Sequence, residues 1–170
     1  MKKLLCCDVD LTVVDTLSSW FDWYRELTGH NVLEDIGGVE YDIQELMHKH
    51  ESPLDYWKKH DLYDNLLPIK DAQYALNKLK NKYDIIFVSS CFPEHIVSKE
   101  RFLNRHFPYN KGFISTQQKG YVKADVVIDD YSKYLNMFSD ETQKFMIETI
   151  LNKSSETFQP MKWEEIIERL

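Results

Sequence analysis

The sequence predicts an α/β fold: a parallel sheet flanked by helices, with a small helical cap inserted after the first strand. Three observations predict it. Short, continuously apolar runs of strand length alternate with amphipathic helical patterns, the order that builds parallel sheets through crossover helices. Roughly 55 residues separate the first apolar run from the helix that opens near Ile69, far more than one crossover requires. Acidic or hydroxyl residues close three of the apolar runs, which gathers them at the edge where open α/β sheets bind ligands.

The elements follow in order. "KLLCCDVD", starting at Lys3, reads as a strand buried on both faces. Its neighbours Cys6 and Cys7 must point to opposite faces. "LSSWFDWYRELTG" places aromatics and leucines at helical spacing and stops at Gly29. "VLEDIGGVEYDIQELMHKH" holds a Gly-Gly turn and predicts another helix. In "SPLDYWKKHDLYDNL", Ser52 is a cap and Pro53 takes the first helical position, so a helix is expected until Pro68 breaks it. "IKDAQYALNKLKNKY" is amphipathic, with Ala72, Ala75, Leu76 and Leu79 on one stripe. "DIIFVSSC" is the second buried strand. "PEHIVSKERFLNRHF" is a helix that opens on Pro93 and ends before Pro108. "GFIST" gives a short strand and "ADVVIDD" another that ends in paired acids. "KFMIETI" reads as strand or helix, and "FMIET" within it fits a last strand; "MKWEEIIERL" is a short amphipathic helix. The expected division is a core of 1–15 and 69–170 with a cap of 16–68.

Bulk properties narrow the function. The chain has 170 residues, 43% hydrophobic and 29% charged, which suits one soluble domain with an insertion. Its net charge of -7 argues against a nucleic-acid polymer as partner, because such a partner needs a basic surface. A small anionic substrate held by a few local positive charges stays compatible. Cys6, Cys7 and Cys91 have no metal-type spacing and read as small buried hydrophobes in a reducing compartment. "MKK" precedes too few apolar residues for a signal peptide, and no run has the length of a membrane span, so a cytoplasmic location without membrane contact is expected. A homodimer stays open.

A lone aspartate after a strand is usually a turn or cap residue. Here the pattern occurs twice, as "DVD" and "IDD". Several carboxylates converging on one sheet edge repel one another strongly at low dielectric. A hard divalent cation such as Mg²⁺ relieves that repulsion, taking one or two carboxylates while leaving room for a phosphate oxygen.

These motifs resemble those of the haloacid dehalogenase (HAD) superfamily. "DVDLT" looks like its first motif, "FVSS" like its second and "VVIDD" like its fourth, in matching order and separation. Several longer stretches are similar to the 5'(3')-deoxyribonucleotidase family: "YVKADVVIDD", "SKERFLNRHF", "DYWKKHDLYDNLLPIKDA", "FMIET" and "MKWEEIIERL". The resemblance covers most of the chain and is sparse within 17–50. It implies a HAD-like Rossmannoid core and an Mg²⁺-dependent phosphomonoester hydrolase acting through an aspartyl-phosphate. The leading substrate is a deoxynucleoside monophosphate; another small phosphometabolite, or a catalytically idle anion-binding domain, are the alternatives.

The resemblance also implies roles. Asp8 is the expected nucleophile and a metal ligand. Asp10 is the expected acid and base, with its backbone carbonyl on the metal. Asp130 is the expected third ligand, and Asp129 orients waters or neighbours. Ser89 and Lys99 would hold the phosphoryl group, with Ser90 beside them. Lys119 is the rival phosphate lysine, and the choice stays open. Trp57 and Tyr41 would pack the base. Thr12 is expected to fix its turn by hydrogen bonding, and Asp15 to serve the start of the cap.

Overall fold

The computed structural model describes residues 2–32, 56–153 and 155–170. They form one six-stranded sheet, and every pair of neighbouring strands is parallel. The strands are β1 (Lys3–Cys7), β2 (Tyr83–Ser89), β3 (Phe113–Ser115), β4 (Val126–Asp129), β5 (Gln143–Ile147) and β6 (Pro160–Met161), in the spatial order β3-β2-β1-β4-β5-β6. The order runs outward from β1 in both directions, so the crevice between β1 and β4 is the switch point of the sheet. Asp8 and Asp129 therefore leave the sheet side by side. The Asp8 amide donates to the Ile128 carbonyl at 2.9 Å and locks that adjacency.

Residue alternation fills both faces. Leu5 and Cys7 share a core with Ile85, Phe87, Val126, Ile128 and Phe145. Cys6 enters a second core with Val88, Val127, Leu135, Phe138 and Met146. The two adjacent cysteines thus point to opposite faces, and both are buried and free. Each buried Leu, Ile or Phe stabilises the layered arrangement by roughly 1.5–3 kcal/mol, which explains why the strands carry no polar alternation.

The helices are α1 (Thr16–Thr28), α2 (Lys70–Leu79), α3 (Ile96–His106), α4 (Ser132–Leu135) and α5 (Trp163–Arg169). Asp15 caps α1, accepting from the Ser18 amide at 3.0 Å and the Ser18 hydroxyl at 2.6 Å. Gly29 ends it at φ +74°, a left-handed conformation that costs glycine little. The buried stripe of α2 is Ala72, Ala75, Leu76 and Leu79, as its pattern requires. Of "KFMIETI", the first four residues lie in strand β5, which ends at Ile147. Among the described residues, no helix is long and apolar enough to cross a membrane.

Two expectations need correction. The helix expected over "SPLDYWKKHDLYDNL" is absent from its described part, which holds a single 3₁₀ turn at Tyr56–Lys58 followed by turns. Tertiary bonds override local propensity there. Arg105 of α3 donates to the carbonyls of Tyr63 and Asp64 at 3.4 and 2.9 Å, and Arg101 forks onto the Asp64 carboxylate. The Asp64 carbonyl is held by α3, and the Tyr63 carbonyl is shared between Arg105 and a tight turn closed by the Leu66 amide at 3.3 Å. Pro93 opens a 3₁₀ turn, Pro93–His95, and the α-helix starts only at Ile96. The Gly-Gly turn, the helix that follows it, the Ser52 cap and Tyr41 lie outside the described residues.

Candidate active site

The loop after β1 is wound tightly. Leu11 has φ +59°, a left-handed conformation that strains a non-glycine residue by about 1–3 kcal/mol. Amides on either side secure it: Leu11 donates to Val14 at 2.8 Å, while Val13 and Val14 donate to Val9 at 2.9 and 3.2 Å. The strain sits immediately after Asp10, the second aspartate of the motif. Trp163 of α5 donates its indole N–H to the Thr12 carbonyl at 3.2 Å and braces the loop from below. The Thr12 hydroxyl does not fix the turn as expected: its Oγ1 is buried without a hydrogen-bond partner, and the backbone bonds do that work.

Asp8 and Asp10 belong to separate networks. Asp8 is 6% exposed and accepts from Lys119 Nζ at 2.6 Å. The same ammonium donates to Asp129 Oδ2 at 2.6 Å and lies 4.1 Å from the centre of the Tyr134 ring. Asp129 uses its other oxygen to accept from the Tyr131 amide at 3.0 Å. Asp130 lies on the same side: carboxylate oxygens of Asp8, Asp129 and Asp130 lie within 4.8 Å of one another. Asn152, buried behind them, donates to the carbonyls of Asp130 and Ile147 at 2.7 and 2.8 Å and fixes the loop after β4 to that after β5.

The electrostatics of this group are unbalanced. Burial pushes the Asp8, Asp129 and Asp130 carboxyls up, neighbouring carboxylates (Asp10 in the case of Asp8) add to it, and Lys119 opposes it. Lys119 itself is raised, because Asp129 and Asp8 outweigh the burial of its charge. One cation faces three clustered carboxyls, so the site has capacity for further positive charge. That donor set, all oxygen and within a single ion's reach, fits Mg²⁺. Asp129 has both oxygens engaged, whereas Asp8 keeps one oxygen clear of Lys119.

Asp10 faces the other way. Its Oδ2 accepts from Lys99 Nζ at 2.6 Å and from Ser89 Oγ at 3.3 Å, and its Oδ1 accepts from the Tyr63 hydroxyl at 2.5 Å. Lys99 also reaches Ser89 Oγ at 3.0 Å. Burial favours the neutral acid, but the Lys99 charge and the hydrogen bonds from Lys99 and Tyr63 prevail and hold Asp10 below the usual carboxylate range. Lys99 is fully buried on α3, an unusual location for a lysine unless it is paired. The arrangement offers one carboxylate held by the Lys119 ammonium and a second, separately held carboxylate next to a hydroxyl and the Lys99 ammonium.

The remaining sequence-predicted residues are placed as follows. Ser90 follows β2 and is half-buried beside Ser89. Trp57 is 4% exposed; its ring packs on Trp20 at 6.1 Å and Tyr56 at 5.2 Å, so the structure places it as a core ring. Both lysines reach the site, Lys99 on the Asp10 side and Lys119 on the Asp8 side. Sequence reasoning missed Tyr63 and Asn152. Tyr63 lies within the family-like stretch "DYWKKHDLYDNLLPIKDA" but carried no expected role, and only the folded chain brings it across 53 positions to Asp10.

A parallel sheet of this order, with an acid-rich switch point and both motif-one aspartates in place, defines a HAD-type hydrolase. Solved structures agree on the fold. A HAD-superfamily hydrolase of subfamily IA from Geobacter sulfurreducens superposes with a TM-score of 0.62 at 13% identity, covering 99% of this chain and 96% of that one. A HAD hydrolase from Bacillus subtilis, crystallised with magnesium, gives 0.59 at 12% identity over 99% and 98%. Among curated proteins, the 5'(3')-deoxyribonucleotidase of Bacillus subtilis (strain 168) is 28% identical over 178 residues, covering 100% of this chain and 99% of its own. Residues 2–170 match the model of the "5' nucleotidase, deoxy (Pyrimidine), cytosolic type C" family, and the chain belongs to that family of HAD-type phosphatases.

Proposed function

We propose that the protein is an Mg²⁺-dependent phosphomonoester hydrolase of the cytoplasm that dephosphorylates deoxynucleoside monophosphates through an aspartyl-phosphate. The observation that carries this reading is the division of Asp8 and Asp10 between two cationic networks. Asp8, Asp130 and the Asp10 backbone carbonyl would hold the ion, with Asp129 behind them. When bound, Mg²⁺ supplies charge neutralisation at the phosphoryl oxygens and lowers the repulsion against an anionic nucleophile.

The protein's own groups account for the proton and bond changes. The Asp8 carboxylate attacks phosphorus, and the phosphorus–oxygen ester bond breaks. Protonated Asp10 gives its proton to the departing nucleoside oxygen. Asp10, now a carboxylate, takes a proton from water as that water attacks phosphorus; the acyl-phosphate bond breaks, releasing inorganic phosphate and restoring Asp8. Lys99 and Ser89 rotate from Asp10 to the phosphoryl oxygens, and the loss of the Lys99 charge lets Asp10 hold its proton. Ser90 lies beside this cradle. Lys119 holds Asp8 oriented and offsets charge at the nucleophile. The base-packing roles of Tyr41 and Trp57 rest on the family resemblance, and Trp57 enters this reading with its ring already packed.

Asp8→Asn tests the nucleophile: turnover should vanish with the fold intact, and activity within about tenfold of wild type would refute the assignment. A panel of deoxyribonucleotides, ribonucleotides, sugar phosphates and an aryl phosphate tests the substrate class. Deoxynucleoside monophosphates should give the highest kcat/KM; if no nucleotide exceeds the aryl phosphate, the nucleotidase reading fails.

A further inference from the structure

Tyr63 has no role among the expected site residues, yet it makes the shortest side-chain contact to Asp10. Its hydroxyl donates to Oδ1 at 2.5 Å, on the oxygen opposite the one held by Lys99 and Ser89. The side chain is 1% exposed, so no competing water replaces this bond cheaply. Its ring is gripped on several sides. His95 meets it edge-on at 5.5 Å, Phe102 at 6.3 Å, and Lys99 Nζ stands 4.8 Å from its centre. Its backbone carbonyl accepts from Arg105, and its neighbour Asp64 is clamped by Arg101. Three of these partners, Lys99, Phe102 and Arg105, lie on α3, as does Arg101. Tyr63 is therefore registered against the same helix that carries the phosphate lysine.

We propose that Tyr63 is the positioning residue for proton transfer: it pins Oδ1 of Asp10 so that the proton given to the leaving oxygen, and later taken from water, resides on Oδ2. The inference rests on the reading of Asp10 as acid and base. Its necessity follows from the fate of the other contacts. Lys99 and Ser89 are the groups a bound phosphoryl group claims, which leaves Asp10 without them during the reaction. The Tyr63 bond goes to the other oxygen and survives. A carboxylic acid that accepts at Oδ1 and carries its proton on Oδ2 has only one oxygen free to donate, so the carboxyl group cannot present the wrong face.

Leaving-group dependence separates positioning from mere packing. A nucleoside alkoxide needs a proton to depart; p-nitrophenolate does not. Tyr63→Phe keeps the ring and removes the hydroxyl. Its kcat/KM for a deoxynucleoside 5'-monophosphate should fall by about 10- to 100-fold, while kcat/KM for p-nitrophenyl phosphate changes by less than about threefold. Equal losses on both substrates, or no loss on either, overturn the inference. Asp10→Asn, measured alongside, distinguishes the two levels. If Asp10→Asn shows the selective loss and Tyr63→Phe does not, only the role of Tyr63 falls; if Asp10→Asn shows no selectivity, the reading of Asp10 falls. Should Tyr63→Phe fail to fold, 3,5-difluorotyrosine at position 63 serves instead. It strengthens the donor at nearly constant shape and should alter the ratio of the two kcat/KM values; an unchanged ratio overturns the inference.

Discussion

Lys119 is the residue on which the charge balance of the site turns. It is 1% exposed and contributes the ammonium shared by Asp8 and Asp129. Removing one member of a buried ionic group leaves the others uncompensated, which costs about 3–5 kcal/mol. Lys119→Met should therefore lower the urea unfolding free energy of the metal-free protein by about that amount. Saturating Mg²⁺ should shrink the deficit, since the ion replaces the lost positive charge, and a deficit that Mg²⁺ leaves untouched would place the carboxylates outside the metal site. The motif aspartates were legible in "DVDLT" and "VVIDD" because chemistry constrains their local spacing. Tyr63 was not legible, because its partner is set by the packing of α3 and not by any neighbouring residue. Thr12 was misread for a related reason: a hydroxyl next to a turn suggests a side-chain bond, but here the backbone donors already close the turn.

At the level of elements, the short 3₁₀ turn Lys119–Tyr121 is what delivers Lys119 to the crevice. Gly120 is its middle residue. A Cβ built there would collide with the Met137 carbonyl oxygen, a backbone atom that cannot yield without moving the segment after α4. Gly120→Ala should cost about 1–3 kcal/mol through overpacking. It should also lower activity by shifting the Lys119 ammonium off Asp8 and Asp129, checked by thermal melts together with phosphatase assays. Normal stability with normal activity would mean that the turn relaxes freely. Strands and crossover helices were readable from their apolar periodicity, since β1, β2, β4 and α2 bury what their patterns mark. The segment after Trp57 was not. Its composition favours a helix, but bonds from Arg101 and Arg105 determine its path, and those donors lie some forty positions away.

Over the whole molecule, the sheet order brings three carboxyls to one switch point, and with the proposed metal site this arrangement would make stability depend on pH and metal together. Asp8, Asp129 and Asp130 are each raised in the folded state, by burial first and then by neighbouring carboxylates: Asp10 for Asp8, Asp8 for Asp129, and Asp129 and Asp8 for Asp130. Between their ordinary range and their folded values, the native protein binds more protons than the unfolded chain. Metal-free stability is therefore drawn downward as pH rises through that window, which reaches about 7 for Asp129. His95 acts with the opposite sign: burial, then Lys99, lowers it, so the unfolded chain takes up its proton first as pH falls. Asp10, held low by Lys99 and Tyr63, contributes stability that is lost only in stronger acid, as pH falls through its folded value. On the proposed metal site, Mg²⁺ would act on the carboxyl cluster, competing with protons there and leaving His95 and Asp10's carboxylate untouched. The rise in melting temperature on adding Mg²⁺ should thus be small near pH 5 and grow steadily to about pH 8. Asp130→Asn should flatten that growth, since it removes one competing proton site and one ligand at once. A magnesium effect that is constant with pH, or that survives Asp130→Asn in full, would locate the ion away from the β1/β4 switch point and break the link between the fold's topology and its chemistry.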